Sequence, residues 1–400
     1  MARPLPLLLL LAAALLPAGS AAATVTAFRD CVAGLGERAA AAGVNGDLIA
    51  RVLPALSPLE RVIALDRSQP EFVQTFPAYL EARVTESRVD KGRELLERHG
   101  PFLRTLLARY GVPPRYLLAF WGLETNYGGY LGKVPTLDSL ATLACDARRS
   151  EFFAGEFVNA LQLVEREALP LEQLVGSWAG AVGHTQFMPS SYLRYAVDGD
   201  GDGRIDLWQS ERDALASGAN FLRSLGWEPG LRWGRLVELP AGFAYEQTGF
   251  GKAQSLRAWA AAGVTRAGGA PLPALDLEAA LLLPSGHRGP AFLVYDNFRV
   301  VMRWNASQSY ALAVGLLADR LAGAPPLRLP PELAEPLRKA DIVGAQRALN
   351  ALGLDAGAAD GIIGSRTRAA LRAFQLEQGL PADGYPDANT LEALQRRALP

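Results

Sequence analysis

The chain has 400 residues, more than a single compact domain usually needs, and its length predicts two or three domains. Half of the residues are hydrophobic and a fifth are charged, and Lys plus Arg (40) nearly balances Asp plus Glu (41), giving a net charge of -1. This balance argues against nucleic acid or an anionic membrane surface as the main partner.

The N-terminal segment has the features of a secretory signal peptide. Arg3 precedes an apolar stretch from Leu5 to Leu16, and the small residues at 21–23 form a cleavage site. The apolar stretch is shorter than the roughly 20 residues that span a bilayer, which argues against a membrane anchor. No later segment is long and apolar enough to span. We therefore predict a signal peptide over 1–23 and a periplasmic location.

The two cysteines of the chain, Cys31 and Cys145, are most simply a disulfide in an exported protein. The alternative, a lipid attached to Cys31, is disfavoured because the polar pair Arg29-Asp30 directly precedes that cysteine. The three histidines are too scattered to predict a zinc site.

An acid interrupts the apolar stretch LLAFWGLETNYGGY, residues 117–130. The prolines before it suit the first turn of a helix, and Leu117, Trp121 and Glu124 then share one helical face. Burial against aromatic rings and the negative end of the helix dipole both favour the protonated form of Glu124. We therefore predict a general acid, with a buried Glu–Arg pair as the structural alternative.

A glycine-rich stretch, GSWAGAVGHTQFMPSSYLRYA, covers residues 176–196. Its small residues allow close backbone approach to a ligand, and its aromatic side chains offer faces on which sugar rings stack. Ser177 and Gln186 are suited to orient hydroxyl and acetamido groups.

The next stretch, DGDGDGRIDLWQ at 198–209, is nearly an EF-hand loop. Asp198, Asp200 and Asp202 alternate, and the Arg204 carbonyl takes the seventh position. Gln209 stands at the twelfth position, where a bidentate Glu is usual. The prediction is one structural Ca²⁺ with no catalytic part; a solvated acidic turn is the alternative.

Strand-like segments lie around 235–239, 279–283 and 291–301. A proline-rich linker over 323–340 then separates a C-terminal region, 341–398. That region has two helical stripes, a short third helix, and two turn motifs that begin at Asp360 and Asp383. The DGxxGxxT turn and the GLPADG segment resemble the peptidoglycan-binding module of bacterial wall enzymes, which implies a three-helix fold.

WGLETNYG together with SWAGAVGHTQFMPSSY resembles the B-type lytic murein transglycosylases (glycoside hydrolase family 103), and the likeness extends to residues 297–314. The resemblance implies a mainly α (α+β) fold: a lysozyme-like catalytic domain over 24–322 with a small β insertion. Val182 and His184 depart from the family pattern, which affects only the fine contacts of that loop.

The resemblance also implies roles for individual residues. Glu124 would be the single catalytic acid and base, with no cofactor for catalysis, and Asp213 would close the calcium loop. Ser177, Gln186, Asn297 and Tyr310 would hold the sugars.

By the same resemblance the enzyme would cleave the MurNAc–GlcNAc β-1,4 bond of peptidoglycan glycan strands and leave 1,6-anhydro ends. Acids such as Asp138 and Asp146 are better explained as helix caps or as partners of nearby arginines than as a second catalytic carboxylate. A hydrolytic muramidase and an inactive wall-binding scaffold remain the alternatives. The sequence predicts no particular protein partner.

Overall fold

A computed structural model describes residues 19–68, 74–330, 333 and 337–398. Most of the predicted signal peptide, residues 1–18, lies outside the described residues, as do 331–332 and 334–336 of the predicted linker. Within the described residues, no helix combines the length and the apolar character needed to cross a membrane.

The catalytic region is mainly helical, as predicted. Its helices are α1 (Gly19–Ala41), α2 (Gly46–Val52), α3 (Glu60–Ser68), α4 (Phe76–Arg83), α5 (Glu86–Arg98), α6 (Gly100–Tyr110), α7 (Pro114–Thr125), α8 (Thr136–Ala144), α9 (Ser150–Arg166), α10 (Pro189–Tyr195), α11 (Glu211–Ser224), α12 (Leu256–Ala261), α13 (Asp296–Trp304) and α14 (Gln308–Leu321).

The predicted β insertion is a five-stranded antiparallel sheet in which the segments 254–255, 278–282, 291–294, 234–238 and 265–266 lie side by side in that order. Its strands are β3 (Gly234–Glu238), β4 (Gln254–Ser255), β5 (Thr265–Arg266), β6 (Glu278–Leu282) and β7 (Ala291–Val294), while β1 (Val134–Pro135) pairs separately with β2 (Val175–Gly176). The predicted strand over 291–301 is therefore wrong in its second half, because the chain turns into α13 at Asp296.

The catalytic region contains two large cores and a third, smaller one on the other face of the sheet. One large core packs α4 to α7, α11, α13 and α14 against one face of the sheet. The other large core packs α1, α2, α8 and α9 against the glycine-rich stretch. Trp304 packs against both large cores. A disulfide joins Cys31 on α1 to Cys145, the residue that ends α8.

The C-terminal region forms its own small core from α15 (Lys339–Ala351), α16 (Ser365–Glu377) and α17 (Ala388–Ala398). The three-helix prediction is thus confirmed, although Leu352, the last position of the helical spacing 342, 345, 349 and 352, is 41% exposed. Each predicted turn is held by a buried glutamine, because Gln346 and Gln375 each accept the N–H of the turn glycine, Gly361 and Gly384 respectively.

Candidate active site

Glu124 is the penultimate residue of α7. Pro114 occupies the first turn of this helix, and Asn126, in the left-handed conformation (φ 52°), ends it. Leu117 and Trp121 on the same face are buried, whereas Glu124 is half-buried. The carboxyl group therefore stands at the end of a rigid, core-packed helix and is still accessible.

Two side chains from the far end of the catalytic region hydrogen-bond to the same oxygen of Glu124. Trp304 Nε1 donates to Oε1 over 2.9 Å, and the Tyr310 hydroxyl donates to Oε1 over 2.5 Å. Tyr310 was expected to hold a sugar, but the structure places its hydroxyl on the acid. Trp304 was not among the predicted site residues, although this indole lies within the segment 297–314 that resembles the family, six residues before Tyr310.

A small pocket of about 20 Å³ lies beside Glu124, lined by residues of α7 and α11 and by Trp304. Among the described residues that line it, Glu124 is the single carboxylate. The carboxylate of Asp138 instead accepts the N–H of Ser57, and Asp146 pairs with Arg67. The structure therefore gives both of these acids structural partners.

The glycine-rich stretch is attached directly to α7. Trp121 Nε1 donates to His184 Nδ1 over 3.0 Å, and the Thr125 hydroxyl donates to the His184 carbonyl over 3.2 Å. Burial lowers the pKa of His184, and its neutral ring has the acceptor nitrogen that the indole needs. His184, one of the departures from the family pattern, thus helps to fix the loop against the helix.

Within this stretch the two predicted sugar contacts are half-buried and held by backbone groups. Ser177 Oγ accepts the N–H of Ala181, and Gln186 Nε2 donates to the carbonyls of Leu131 and Gly183. Gln186 has a positive φ of 49°. The polar edge of the stretch is therefore preorganised.

The predicted contact between Asn297 and a sugar is corrected by the structure. Asn297 is fully buried, its Oδ1 accepts the N–H of Glu228, and its Nδ2 donates to the carbonyls of Glu228 and Leu231. All of its hydrogen-bonding groups hold the chain that leads into β3, so no polar atom remains for a ligand.

The aspartate loop brings together three of the predicted metal ligands. Carboxylate oxygens of Asp198, Asp200 and Asp202 lie within 4.8 Å of one another. Hydrogen bonds from the N–H groups of Gly203 and Gly201 lower the pKa of Asp198, which keeps it ionised. Such a set of hard oxygens fits Ca²⁺.

The other two predicted ligands have different surroundings. Asp213 is not part of the three-carboxylate cluster; it is buried, burial raises its pKa, and its oxygens accept the N–H groups of Gly199 and Asp206. The N–H of Arg204 donates to Asp202.

The aspartate loop also supports the glycine-rich stretch. The His184 N–H donates to the Leu207 carbonyl over 2.8 Å, and a Cβ at Gly183 (φ 69°) would lie 2.5 Å from that carbonyl oxygen. Only glycine permits this approach. A structural change in the aspartate loop would therefore displace His184 and Gly183, which belong to the glycine-rich stretch beside the end of α7.

A half-buried acid at a helix end, beside a loop of small and aromatic residues, is the arrangement expected of an enzyme that cleaves glycan chains. Residues 27–319 match the transglycosylase SLT domain family, and residues 338–394 match the peptidoglycan binding domain family. The chain therefore belongs to the transglycosylase SLT domain family; it is a lytic transglycosylase that acts on peptidoglycan, with a lysozyme-like catalytic fold.

Similar proteins of known name agree with this assignment. The chain is 33% identical to membrane-bound lytic murein transglycosylase B of Escherichia coli K12 over 70% of this chain and 79% of that protein. It is 43% identical to SltB3 of Pseudomonas aeruginosa, solved with NAG-anhNAM-pentapeptide, with a TM-score of 0.84 over 92% of this chain and 99% of SltB3. The chain is 31% identical to the Escherichia coli transglycosylase Slt35, solved with calcium, with a TM-score of 0.63 over 74% of this chain and 92% of Slt35.

Proposed function

We propose that Glu124 carries out both proton transfers of the transglycosylase reaction. The protonated acid gives its proton to the bridging oxygen as the bond from that oxygen to the MurNAc anomeric carbon breaks. The N-acetyl group of MurNAc stabilises the developing positive charge, which is a recognised alternative to a second carboxylate. The carboxylate then takes the proton of the MurNAc 6-hydroxyl as its oxygen bonds to the anomeric carbon, leaving a 1,6-anhydro end.

The two hydrogen bonds to Oε1 are the observation that supports this role best. Because Oε1 already accepts from both Trp304 and Tyr310, the acidic proton of the protonated form would be carried by Oε2. The same donors stabilise the carboxylate that forms once the proton has left. Because both hydrogen bonds hold the Glu124 side chain in place, it needs little rearrangement between donating the first proton and accepting the second.

The glycine-rich stretch is the proposed sugar platform, with Ser177 and Gln186 as its polar contacts. Both side chains are half-buried at the edge of a loop that hydrogen bonds attach to α7. The proposed domain order is a signal peptide at 1–23, a catalytic domain at 24–322, a linker at 323–340 and a wall-binding module at 341–398.

The aspartate loop is proposed to bind one structural Ca²⁺ through Asp198, Asp200, Asp202 and the Arg204 carbonyl, with Asp213 holding the loop from the inside. Such an ion would offset the repulsion among the clustered carboxylates. The ion would stabilise the folded aspartate loop. It would also stabilise the sugar platform, because the Leu207 carbonyl of the loop accepts the N–H of His184. We also propose a periplasmic location, where the wall substrate is found.

Glu124→Gln tests the mechanism. The amide keeps the size of the side chain but can neither donate the first proton nor accept the second. We expect release of anhydromuropeptides from purified sacculi to fall by about 10²- to 10⁴-fold or more, read by mass spectrometry, while sacculus binding is retained. Asp138→Asn is the matched control and should stay active.

Two results would contradict the proposal. An equally inactive Asp138→Asn variant would indicate a second catalytic carboxylate. Products of the wild type with reducing ends instead of anhydro ends would identify a hydrolytic muramidase.

A further inference from the structure

A cleft of about 420 Å³ lies between the catalytic domain and the C-terminal module. Thr248, Lys252 and Gln308 line it on the catalytic side, and Arg368 and Arg372 of α16 line it on the module side. Its volume is in the range of sites for small ligands. The proposed proton transfers use none of these five residues.

The cleft carries an excess of positive charge. Within the described parts of the chain, Lys252, Arg368 and Arg372 form no ion pair, and Glu246 is the one carboxylate in the lining. Burial, followed by the charge of Arg372, lowers the pKa of Arg368 to about 10, and burial lowers the pKa of Arg372. Two neighbouring, half-buried cations therefore share the cleft without an ion-pair partner among the described residues.

Asp383 is close enough to act on both arginines electrostatically, but hydrogen bonds already occupy its carboxylate. One oxygen accepts from Gln375 and from the N–H of Tyr385. The other accepts the N–H of His287 and contacts His287 Nδ1 at 2.7 Å. This acid joins the module to the catalytic domain and does not pair with the arginines.

The Arg372 guanidinium lies close to backbone from both domains. A Cβ added at Gly249 of the catalytic domain would lie 3.2 Å from Arg372 Nη2, and one added at Gly384 of the module would lie 3.1 Å from Arg372 Cζ. The Nε of Arg372 is buried and has no hydrogen-bond partner among the described residues. A buried donor in this state is costly unless a ligand or water satisfies it.

We propose that Arg368 and Arg372 bind a carboxylate of the peptide carried by the glycan substrate, with Lys252 on the opposite wall of the cleft. Guanidinium groups match carboxylates geometrically and bind them with charge-assisted hydrogen bonds. This inference rests on the proposed function. It makes the cleft a peptide site that depends on both domains.

The position of the cleft connects it to the catalytic centre. Gln308, which lines the cleft, is the first residue of α14, and Tyr310 two residues later donates to Glu124. A peptide held in the cleft therefore lies beside the helix that positions the acid. Strands that carry peptides would be retained better than bare glycan.

The test compares two probes in the Glu124→Gln background, where turnover is blocked. One is a purified glycan tetrasaccharide that carries pentapeptides, and the other is the same tetrasaccharide without peptide. Calorimetry gives the ratio of their affinities. We expect Arg372→Gln to lower the preference for the peptide-bearing probe by about tenfold or more, which is typical for loss of a charge-assisted contact. Lys252→Gln, an exposed and less disruptive change, should lower it about two- to threefold.

Arg366→Gln is the matched control, because Arg366 lies on the same helix, is exposed and faces Asp355. It should leave the preference unchanged. The proposal is overturned if neither Arg372→Gln nor Lys252→Gln changes the preference, or if both probes weaken equally. It is also overturned if inorganic phosphate displaces the peptide-bearing probe at equal concentration, since the arginines would then bind any anion.

Failure here is distinguishable from failure of the proposed function. The wild-type protein would still release anhydro ends from peptide-free strands if only the peptide site were wrong. If the catalytic proposal were wrong, no anhydro ends would be released from peptide-free strands, regardless of the affinity ratio of the two probes.

Discussion

At the residue scale, the donor that most directly affects Glu124 is the Tyr310 hydroxyl, 2.5 Å from Oε1. Tyr310→Phe removes this donor and little volume. A hydrogen bond to a charged group contributes about 1.5–3 kcal/mol, so we expect kcat to fall by about ten- to a hundredfold with a small change in KM. Digestion of soluble glycan strands measures both constants.

Tyr195→Phe is a control for this prediction. Tyr195 is half-buried and packs on Phe221, so its loss of a hydroxyl tests the general effect of the substitution. A larger effect on KM than on kcat in Tyr310→Phe would restore the sugar-binding role expected from the sequence.

His184 provides a pH-dependent prediction at the same scale. Burial lowers its pKa, whereas Glu211 and Asp206 oppose this shift. The unfolded chain therefore takes up the proton more readily than the folded one, and the free energy of unfolding falls as the pH drops below about 6.5. His184→Gln should reduce this loss, measured by urea unfolding at pH 7.5 and 5.0. Equal losses in the two proteins would exclude His184 as the cause.

The sequence indicates some of the candidate site residues more clearly than others, for physical reasons. Glu124 stood out because an acid on an apolar helical face is unusual. Asn297 was misassigned because an amide that binds sugar and an amide that holds a buried loop look identical in sequence. The role of Trp304 depends on a contact with Glu124, 180 residues away in the chain, which helical and strand periodicity cannot indicate.

At the element scale, the disulfide joins α1 to the end of α8 across 114 residues. Chain-entropy reasoning gives about 4–5 kcal/mol for closing a loop of this length. The double variant Cys31→Ser/Cys145→Ser should therefore lower the free energy of unfolding by up to that amount in urea titrations. Reduced wild-type protein should match the variant, and two titratable thiols in the native exported protein would contradict the pairing.

The aspartate loop predicts a calcium-dependent melting temperature. We expect Ca²⁺ to raise the melting temperature of the wild type and a chelator to reverse the change, because the ion binds the folded loop and not the unfolded chain. Asp200→Asn/Asp202→Asn should abolish the response. Asp355→Asn, an exposed acid in the C-terminal module, is the control and should keep it. A wild-type melt that neither calcium nor chelator moves would count against the site.

Helix α13 shows where local pattern fails at this scale. The β-branched pair Val300-Val301 after a true strand favoured continued strand up to residue 301. In the structure Phe298 and Val301 point into the core from one helical face, while Arg299 and Arg303 are more exposed. Packing of a helix against the core outweighs the β propensity of two residues.

At the scale of the whole molecule, the proposed catalytic acid Glu124 lies where the two large cores of the catalytic region meet. α7 belongs to one core, the glycine-rich stretch belongs to the other, and Trp304 packs on both while donating to Glu124. The relative position of the cores therefore sets the distance between acid and sugar platform. The periodicity of the sequence indicates the helices but not this junction, because it depends on contacts between distant segments.

The module and the catalytic domain are joined through His287, whose ring contacts the buried Asp383 at 2.7 Å. His287→Ala removes the ring contact and leaves the internal bonds of Asp383 to Gln375 and Tyr385 intact. We expect the module to separate more readily, seen as faster proteolysis within 323–340 and as two melting transitions by calorimetry. Arg288→Ala, an exposed neighbour, should behave like the wild type. If His287→Ala kept the protease resistance and the melting profile of the wild type, the remaining contacts would be sufficient to hold the domains together, and the His287–Asp383 pair would have no part in coupling them.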